Sequence, residues 1–143
     1  LGEHHFWQKS NLHEEVTRVP MIIAAPGMTP GSSQSAVELI DIYPTLCSLL
    51  KLPTPQTVQG KDLVPLLKNP KAQVRTAALS MFRGGHSLRG DRWAYMRYSS
   101  GEEELYDMQN DPDQFINLVS NKEREQVKLR MREQLKTRRN EIK

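Results

Sequence analysis

The run Met21-Ile22-Ile23-Ala24-Ala25, set between Pro20 and the turn signal Pro26-Gly27, constrains this chain more than any other stretch. Five apolar residues in a row, without alternation, suit a strand covered on both faces, as in a parallel sheet. No strand–helix–strand repeat follows, so the chain offers the run no neighbours. Its sheet partners are expected in a preceding part of the polypeptide. The chain also opens at Leu1, without Met and inside a polar, histidine-rich stretch, and is expected to be a fragment.

A length of 143 residues suits one ordinary domain or a piece of a larger one. Apolar residues make up 37%, low for a self-sufficient globule but well above a disordered profile. No apolar run approaches the ~20 residues of a membrane span, and no basic-then-apolar leader is present. The single cysteine, Cys47, has no internal disulfide partner and sits among Leu46, Leu49 and Leu50. It reads as a buried structural thiol rather than a nucleophile.

Charge is unevenly spread. Residues 122–143 hold nine basic and four acidic side chains, net +5, so residues 1–121 are net −2 within a whole-chain charge of +3. The basicity therefore belongs to the tail and argues poorly for a nucleic-acid partner. Val127, Met131 and Leu135 recur every four residues there, which predicts a terminal helix docked by one narrow stripe. Glu residues interrupt the basic run and no aromatic is available for base stacking.

Between these ends, residues 28–35 read as a loop and Ala36–Ile40 as a short strand. A helix is expected from Asp41 as N-cap, with Pro44 in its first turn and Leu46, Leu49 and Leu50 as its buried face. A longer helix from a Ser35/Glu38 capping box is the alternative, which Pro44 would kink. Asp62 caps a short Leu63–Leu67 helix closed by Asn69-Pro70. From Ala77 the texture changes to short β-like runs: Ala77–Phe82, His86–Arg89, Trp93–Tyr98 and Glu104–Tyr106, separated by glycine-containing turns. That spacing predicts a small antiparallel sheet.

His4, His5 and His13, with Glu3, Glu14 and Glu15, resemble a metal cluster at first sight, but neither H-E-x-x-H nor a cysteine-containing zinc spacing occurs. Metal ligands are not expected in this chain. Lys9, among Trp7 and histidines, suits a point charge offered to an anionic group, but on these residues alone an ordinary exposed lysine is the favoured reading. Glu15 and Arg18, three apart, suit a structural pair.

Five blocks in series carry a resemblance. They are Leu1-Gly2-Glu3-His4 with Trp7, Lys9 and Glu15 through Arg18-Val19-Pro20-Met21-Ile22-Ile23; Val37–Leu46; Gln59–Leu67; Ser87–Tyr95; and Glu104–Leu118. In this order and spacing the chain resembles the C-terminal portion of the sulfatase family, within the alkaline-phosphatase-like superfamily. The branch it is most similar to is the iduronate-2-sulfatase-like one, where Trp and Lys follow the same tetrapeptide.

The resemblance implies an α/β enzyme with a small four-stranded antiparallel sheet packed against a C-terminal helix. Residues 1–35 would end the large catalytic domain, 36–76 would form a helical connection, and 77–143 the C-terminal subdomain. It implies a formylglycine nucleophile made from Cys or Ser in C/S-x-P-x-R, and a divalent, calcium-type ion. Cys47 is followed by Ser48-Leu49-Leu50 and is not that precursor, and the family's Asp-His-Gly metal element is absent, so both are expected upstream. Lys9 alone matches a recognised functional position, a lysine that binds the sulfate group. His4, His5, His86 and Arg89 are candidate substrate contacts, with packing or hairpin exposure as the plain alternative for each.

The implied partners are a sulfated small molecule or glycan, the missing N-terminal catalytic domain, and another copy of the fragment through self-association. Neither nucleic acid nor a membrane span is implied. Export to the periplasm, lysosome or exterior follows from the resemblance only. Two other readings remain: a phosphodiesterase or phosphonate hydrolase of the same superfamily, and a stand-alone binding module.

Overall fold

The computed structural model describes residues 2–142, so Leu1 of the leading block and Lys143 of the basic tail lie outside the described residues. The chain divides into two compact units. One joins the stretch ending at Pro20 to everything from Leu79 onward, and the other runs Met21–Ala78.

The first unit is built on a four-stranded sheet of order β1-β2-β3-β4, comprising β1 (Ala77–Phe82), β2 (Gly85–Gly90), β3 (Trp93–Arg97) and β4 (Glu103–Asp107). β2 and β4 each pair antiparallel with β3, with Leu88 opposite Tyr95 and Tyr95 opposite Leu105. Arg83 (φ 47°) and Gly84 (φ 77°) turn the chain from β1 into β2, the left-handed pair that matches the twist of a tight hairpin. The expected small sheet is present, with its strands within two residues of their sequence-based limits.

Period-two alternation sorts this sheet into two faces. On one, Ala94, Met96 and Tyr106 form a core with Met108 and with Leu12 from the N-terminal stretch. That stretch, hereafter the strap, holds a 3-10 turn (Glu3–His5) and the single-turn helix α1 (Glu14–Thr17). The other face presents the fully buried Leu88, Tyr95 and Leu105 and contacts the long terminal helix. Asn121 accepts from the Glu123 N–H to start a 3-10 turn that leads into that helix, Glu125–Glu141. Met131 and Leu135 are its buried residues, as the four-residue stripe predicts, each contributing about 1.5–3 kcal/mol of apolar burial.

The second unit carries α2 (Ile42–Leu49) and α3 (Val64–Lys68), and the terminal helix is therefore α4. Asp41 is its hub. The carboxylate accepts from the amides of Glu38 and Lys61, both at 2.7 Å, and is clasped by the Arg75 guanidinium, whose Nη2 lies 2.6 Å from Oδ1. Burial alone would raise the Asp41 carboxyl, but Arg75 and the two amides outweigh it and hold it below the ordinary value. Thr45 donates to the Asp41 carbonyl and accepts from the Leu63 amide, fastening α2 to the start of α3. Gly60 passes so close to this hub that a Cβ there would fall 2.0 Å from the Ile40 carbonyl oxygen. Cys47 is buried, as expected.

Three expectations are corrected here. Met21–Ala25 is not a strand: it is extended chain without a ladder, because among the described residues no strand is adjacent to share its backbone groups. Met21, Ile23 and Ala25 are half-buried, whereas Ile22 is 91% exposed. Ala36–Ile40 is likewise not a strand, since the reciprocal bonds between Glu38 and Asp41 turn the chain into a 3-10 turn at Leu39–Asp41. Finally, α2 begins after Asp41 as predicted, but its buried residues are Pro44, Thr45 and Cys47. Leu46 and Leu50 are exposed and align with Leu39, Ile42 and Tyr43 in an uncovered apolar stripe.

Candidate functional site

The strap gathers three of the five sequence-predicted site residues. Gly2, His4 and His5 all take positive φ (112°, 51° and 62°), so the chain doubles back tightly at its start. For the two histidines that conformation is uncommon and must be held by surroundings. His4 supplies the hold: its Nε2 lies 3.0 Å from the Asp113 carbonyl oxygen and 3.2 Å from Glu15 Oε1. Its ring stacks on that of His13, with centroids 4.1 Å apart and planes 12° from parallel.

His13 is only 4% exposed. Its Nε2 faces Glu104 Oε2 at 3.3 Å, and the Tyr106 hydroxyl donates to the same oxygen at 3.0 Å. Burial would raise the Glu104 carboxyl, yet His13 and Tyr106 reverse this and it sits below its ordinary value. Its Nδ1 is buried without a hydrogen-bond partner among the described residues. Two further ties complete the seat. The Glu14 amide donates to the buried Gln114 Oε1 at 2.7 Å, and Arg89 Nε donates to Glu14 Oε2 at 3.0 Å.

Between the fixed points His4 and Leu12, residues 5–9 project outward. His5, Phe6, Trp7, Gln8 and Lys9 are all exposed, Trp7 at 76%. Lys9 thus presents its ammonium on a loop whose two ends are pinned, with no ion-pair partner among the described residues. The arrangement can deliver one positive charge, beside an aromatic surface, to an anionic group.

Arg89 and His86 are not brought together. They share β2, but alternation turns Arg89 toward the strap and His86 toward α4. The Arg89 guanidinium is engaged with Glu14 and with the carbonyls of Gly90 and Asp91, a structural set of bonds. His86 lies opposite Arg97 and near Arg139, and burial followed by the Arg139 charge lowers its basicity. Among the described residues no three His, Cys, Asp or Glu side chains converge on a point where an ion would sit.

Sequence reasoning missed the supports of the strap rather than its tip. His13 was legible only as one histidine of several, and its partners Glu104, Tyr106 and Gln114 lie some hundred residues away, where no local pattern points to them. The Asp111-Pro112 break does mark the supporting loop: the Asp111 carboxylate accepts from the amides of Phe115 and Ile116 and shapes the turn that presents Asp113 and Gln114.

Comparison with known proteins bears on this geometry. The family described as N-sulphoglucosamine sulphohydrolase, C-terminal, matches residues 2–141. Arylsulfatase K of Gallus gallus is 34% identical over 134 residues, covering 82% of this chain and 25% of its own. A solved structure described as a 2-O GAG sulfatase is 29% identical, with a TM-score of 0.59 over 68% of this chain and 23% of its own. The phosphonate monoester hydrolase of Agrobacterium radiobacter is 25% identical, with a TM-score of 0.62 over 72% of this chain and 25% of its own. The chain spans about a quarter of the length of the relatives it matches.

Proposed function

The chain belongs to the N-sulphoglucosamine sulphohydrolase C-terminal family of sulfatases, and from that premise we propose that it is the C-terminal portion of an exported enzyme hydrolysing sulfate esters of a glycan or small molecule. Residues 1–35 close the large α/β domain, 36–76 form the helical connection, and 77–143 make the C-terminal subdomain. The observation that carries this reading is Lys9, held out on a strap pinned at both ends with no ion-pair partner among the described residues. Within the family, the spacing of Trp7 and Lys9 after Gly2-Glu3-His4 supports a place beside the iduronate-2-sulfatase-like branch.

Lys9 donates to a sulfate oxygen and stabilises the charge that builds on the leaving ester oxygen as the S–O bond breaks. His5, exposed beside Phe6 and Trp7, lines the approach. His4 holds the loop. A formylglycine nucleophile and a divalent ion such as calcium would supply attack on sulfur and polarisation of the sulfate; we assign both to the remainder of the parent enzyme. The uncovered stripe of Leu39, Tyr43, Leu46 and Leu50 and the bare face at Ile22 support that remainder as the partner.

The test is kinetic. In the parent enzyme Lys9→Ala is expected to lower kcat/KM by roughly two to three orders of magnitude while the fold stays intact. The 143-residue chain alone is expected to release no chromophore from an aryl sulfate. Near-native kinetics for the variant would show Lys9 to be a surface lysine only.

A further inference from the structure

Two consecutive residues hold both ends of the strap's projecting segment. The Asp113 carbonyl oxygen accepts from His4 Nε2 at 3.0 Å, and Gln114 Oε1 accepts from the Glu14 amide at 2.7 Å. Neighbouring Cα atoms stand about 3.8 Å apart, so residues 4 and 14 are drawn to one place and the chain between them is a closed loop of the Ω type. Lys9 lies at its midpoint, five residues from either anchor. The Gln114 bond also completes α1. That helix receives no side-chain cap from His13, and Gln114 supplies the acceptor its first amide needs from 100 residues away. Gln114 is only 2% exposed and takes φ 58°, with His4 at 51° and His5 at 62°. Three of the five left-handed residues other than glycine among the described residues thus meet at this clamp. Such conformations persist where surroundings over-determine them, and they gather at working sites. Asp111 is the brace: its carbonyl accepts from the Gln114 amide at 3.2 Å, and its carboxylate from those of Phe115 and Ile116.

We propose that Gln114 is a positioning residue for sulfate-ester hydrolysis: by capping α1 from the loop after β4, it fixes the far end of the Lys9 loop and sets where the ammonium stands. The proposal rests on the reading of Lys9 as the sulfate-binding lysine. Packing of Leu12 in the sheet core fixes how deep that end sits, whereas a bond to the backbone of Glu14 fixes the direction in which the chain leaves it. Direction matters here. A lysine carries its charge on a flexible four-carbon stem, and a donor stabilises a developing oxyanion only when it is already in place. The loop after β4 and the strap belong to one compact unit, so the C-terminal subdomain takes part in the reaction through Gln114 without touching the substrate.

The test is a double-mutant cycle in the parent enzyme, with nitrophenyl sulfate as substrate. Gln114→Met keeps the length of the side chain and removes the amide oxygen. It is expected to lower kcat/KM by about tenfold to a hundredfold, the loss that an ångström-scale misplacement brings. Added to Lys9→Ala, it should cost less than about twofold more, because a residue that acts through Lys9 has nothing left to position. The same factor in both backgrounds would show a general structural role and overturn the proposal. The bond is also cut from its other side. Glu14→Pro removes the amide at the first helical position, where proline is tolerated, and Glu14→Ala removes the carboxylate but keeps the amide. With Lys9 present, Glu14→Pro should be about tenfold slower than Glu14→Ala. With Lys9→Ala the two should match. Equal rates in both backgrounds would overturn the proposal even if Gln114→Met failed to fold. A severe Lys9→Ala defect beside native rates for Gln114→Met would remove the positioning role alone. Near-native rates for Lys9→Ala would remove the reading of Lys9 and the proposal with it.

Discussion

His4 and His13 stack ring on ring at 4.1 Å, and each has its own carboxylate, Glu15 for His4 and Glu104 for His13. The pair joins the strained start of the strap to strand β4, so the loop bearing Lys9 is only as well placed as this stack. His13→Ala removes a buried ring, the support under His4 and the partner of Glu104. It is expected to cost about 2–4 kcal/mol in denaturant unfolding and to speed amide exchange across residues 2–18 more than in β2 or β3. Uniform exchange in the variant would show that the strap is held by Leu12 alone.

Acid should loosen the same unit. Arg92 beside Asp107, with Asn110 and the Gln109 amide, lowers the Asp107 carboxyl from 3.8 to about 2. A carboxyl depressed on folding contributes stability that is fully present above its unfolded value and lost as pH falls through the folded one, here between about 4 and 2. Because Arg92 is partly exposed, the contribution is discounted to about 1 kcal/mol. Asp107→Asn should therefore lower stability at pH 7 by about that amount and flatten the pH dependence below pH 4. An unchanged acid limb would mean the pair contributes nothing.

In the second unit the prediction is larger. Arg75 is buried with Asp41 and reaches Glu38 at 3.7 Å, so removing the cation strands two buried carboxylates. Arg75→Met is expected to cost about 3–5 kcal/mol and to melt residues 36–70 ahead of the sheet. Coincident melting of both units would show that they unfold as one.

Met21–Ala25 gives a fourth test. Among the described residues none of its amides donates to a backbone carbonyl, and Ile22 and Ala24 stand bare. Unpaired extended chain recruits another chain. The 143-residue protein should exchange these amides within seconds as a monomer, or protect them only as it self-associates at higher concentration by sedimentation. A monomer with strongly protected amides there would contradict the structure.

What the sequence made legible follows a physical divide. The sheet was readable because its turns and period-two runs are local, and α4 because Met131 and Leu135 sit on a stripe that α4 buries within its own unit. The same logic failed at α2. Leu46 and Leu50 do mark an apolar face, but periodicity cannot say whether a cover for it lies within these residues. Lys9 stood out only through the family resemblance, since its setting beside Trp7 taken alone reads as an exposed lysine. The bonds of His13 to Glu104 and of Glu14 to Gln114 were not visible, because contacts that distant along the chain leave no spacing to read.

The strap's attachments have a consequence for how the protein is made. His4 waits for Asp113 and Glu14 for Gln114, partners 109 and 100 residues further along. At ribosomal speeds of about 5–20 residues per second, the strap stays unseated for on the order of ten seconds after it is made. During that interval Phe6, Trp7 and Leu12 have no sheet to meet. The strap is thus among the last segments to find its place, and this stretch of the nascent chain is where a chaperone or a protease has its opportunity.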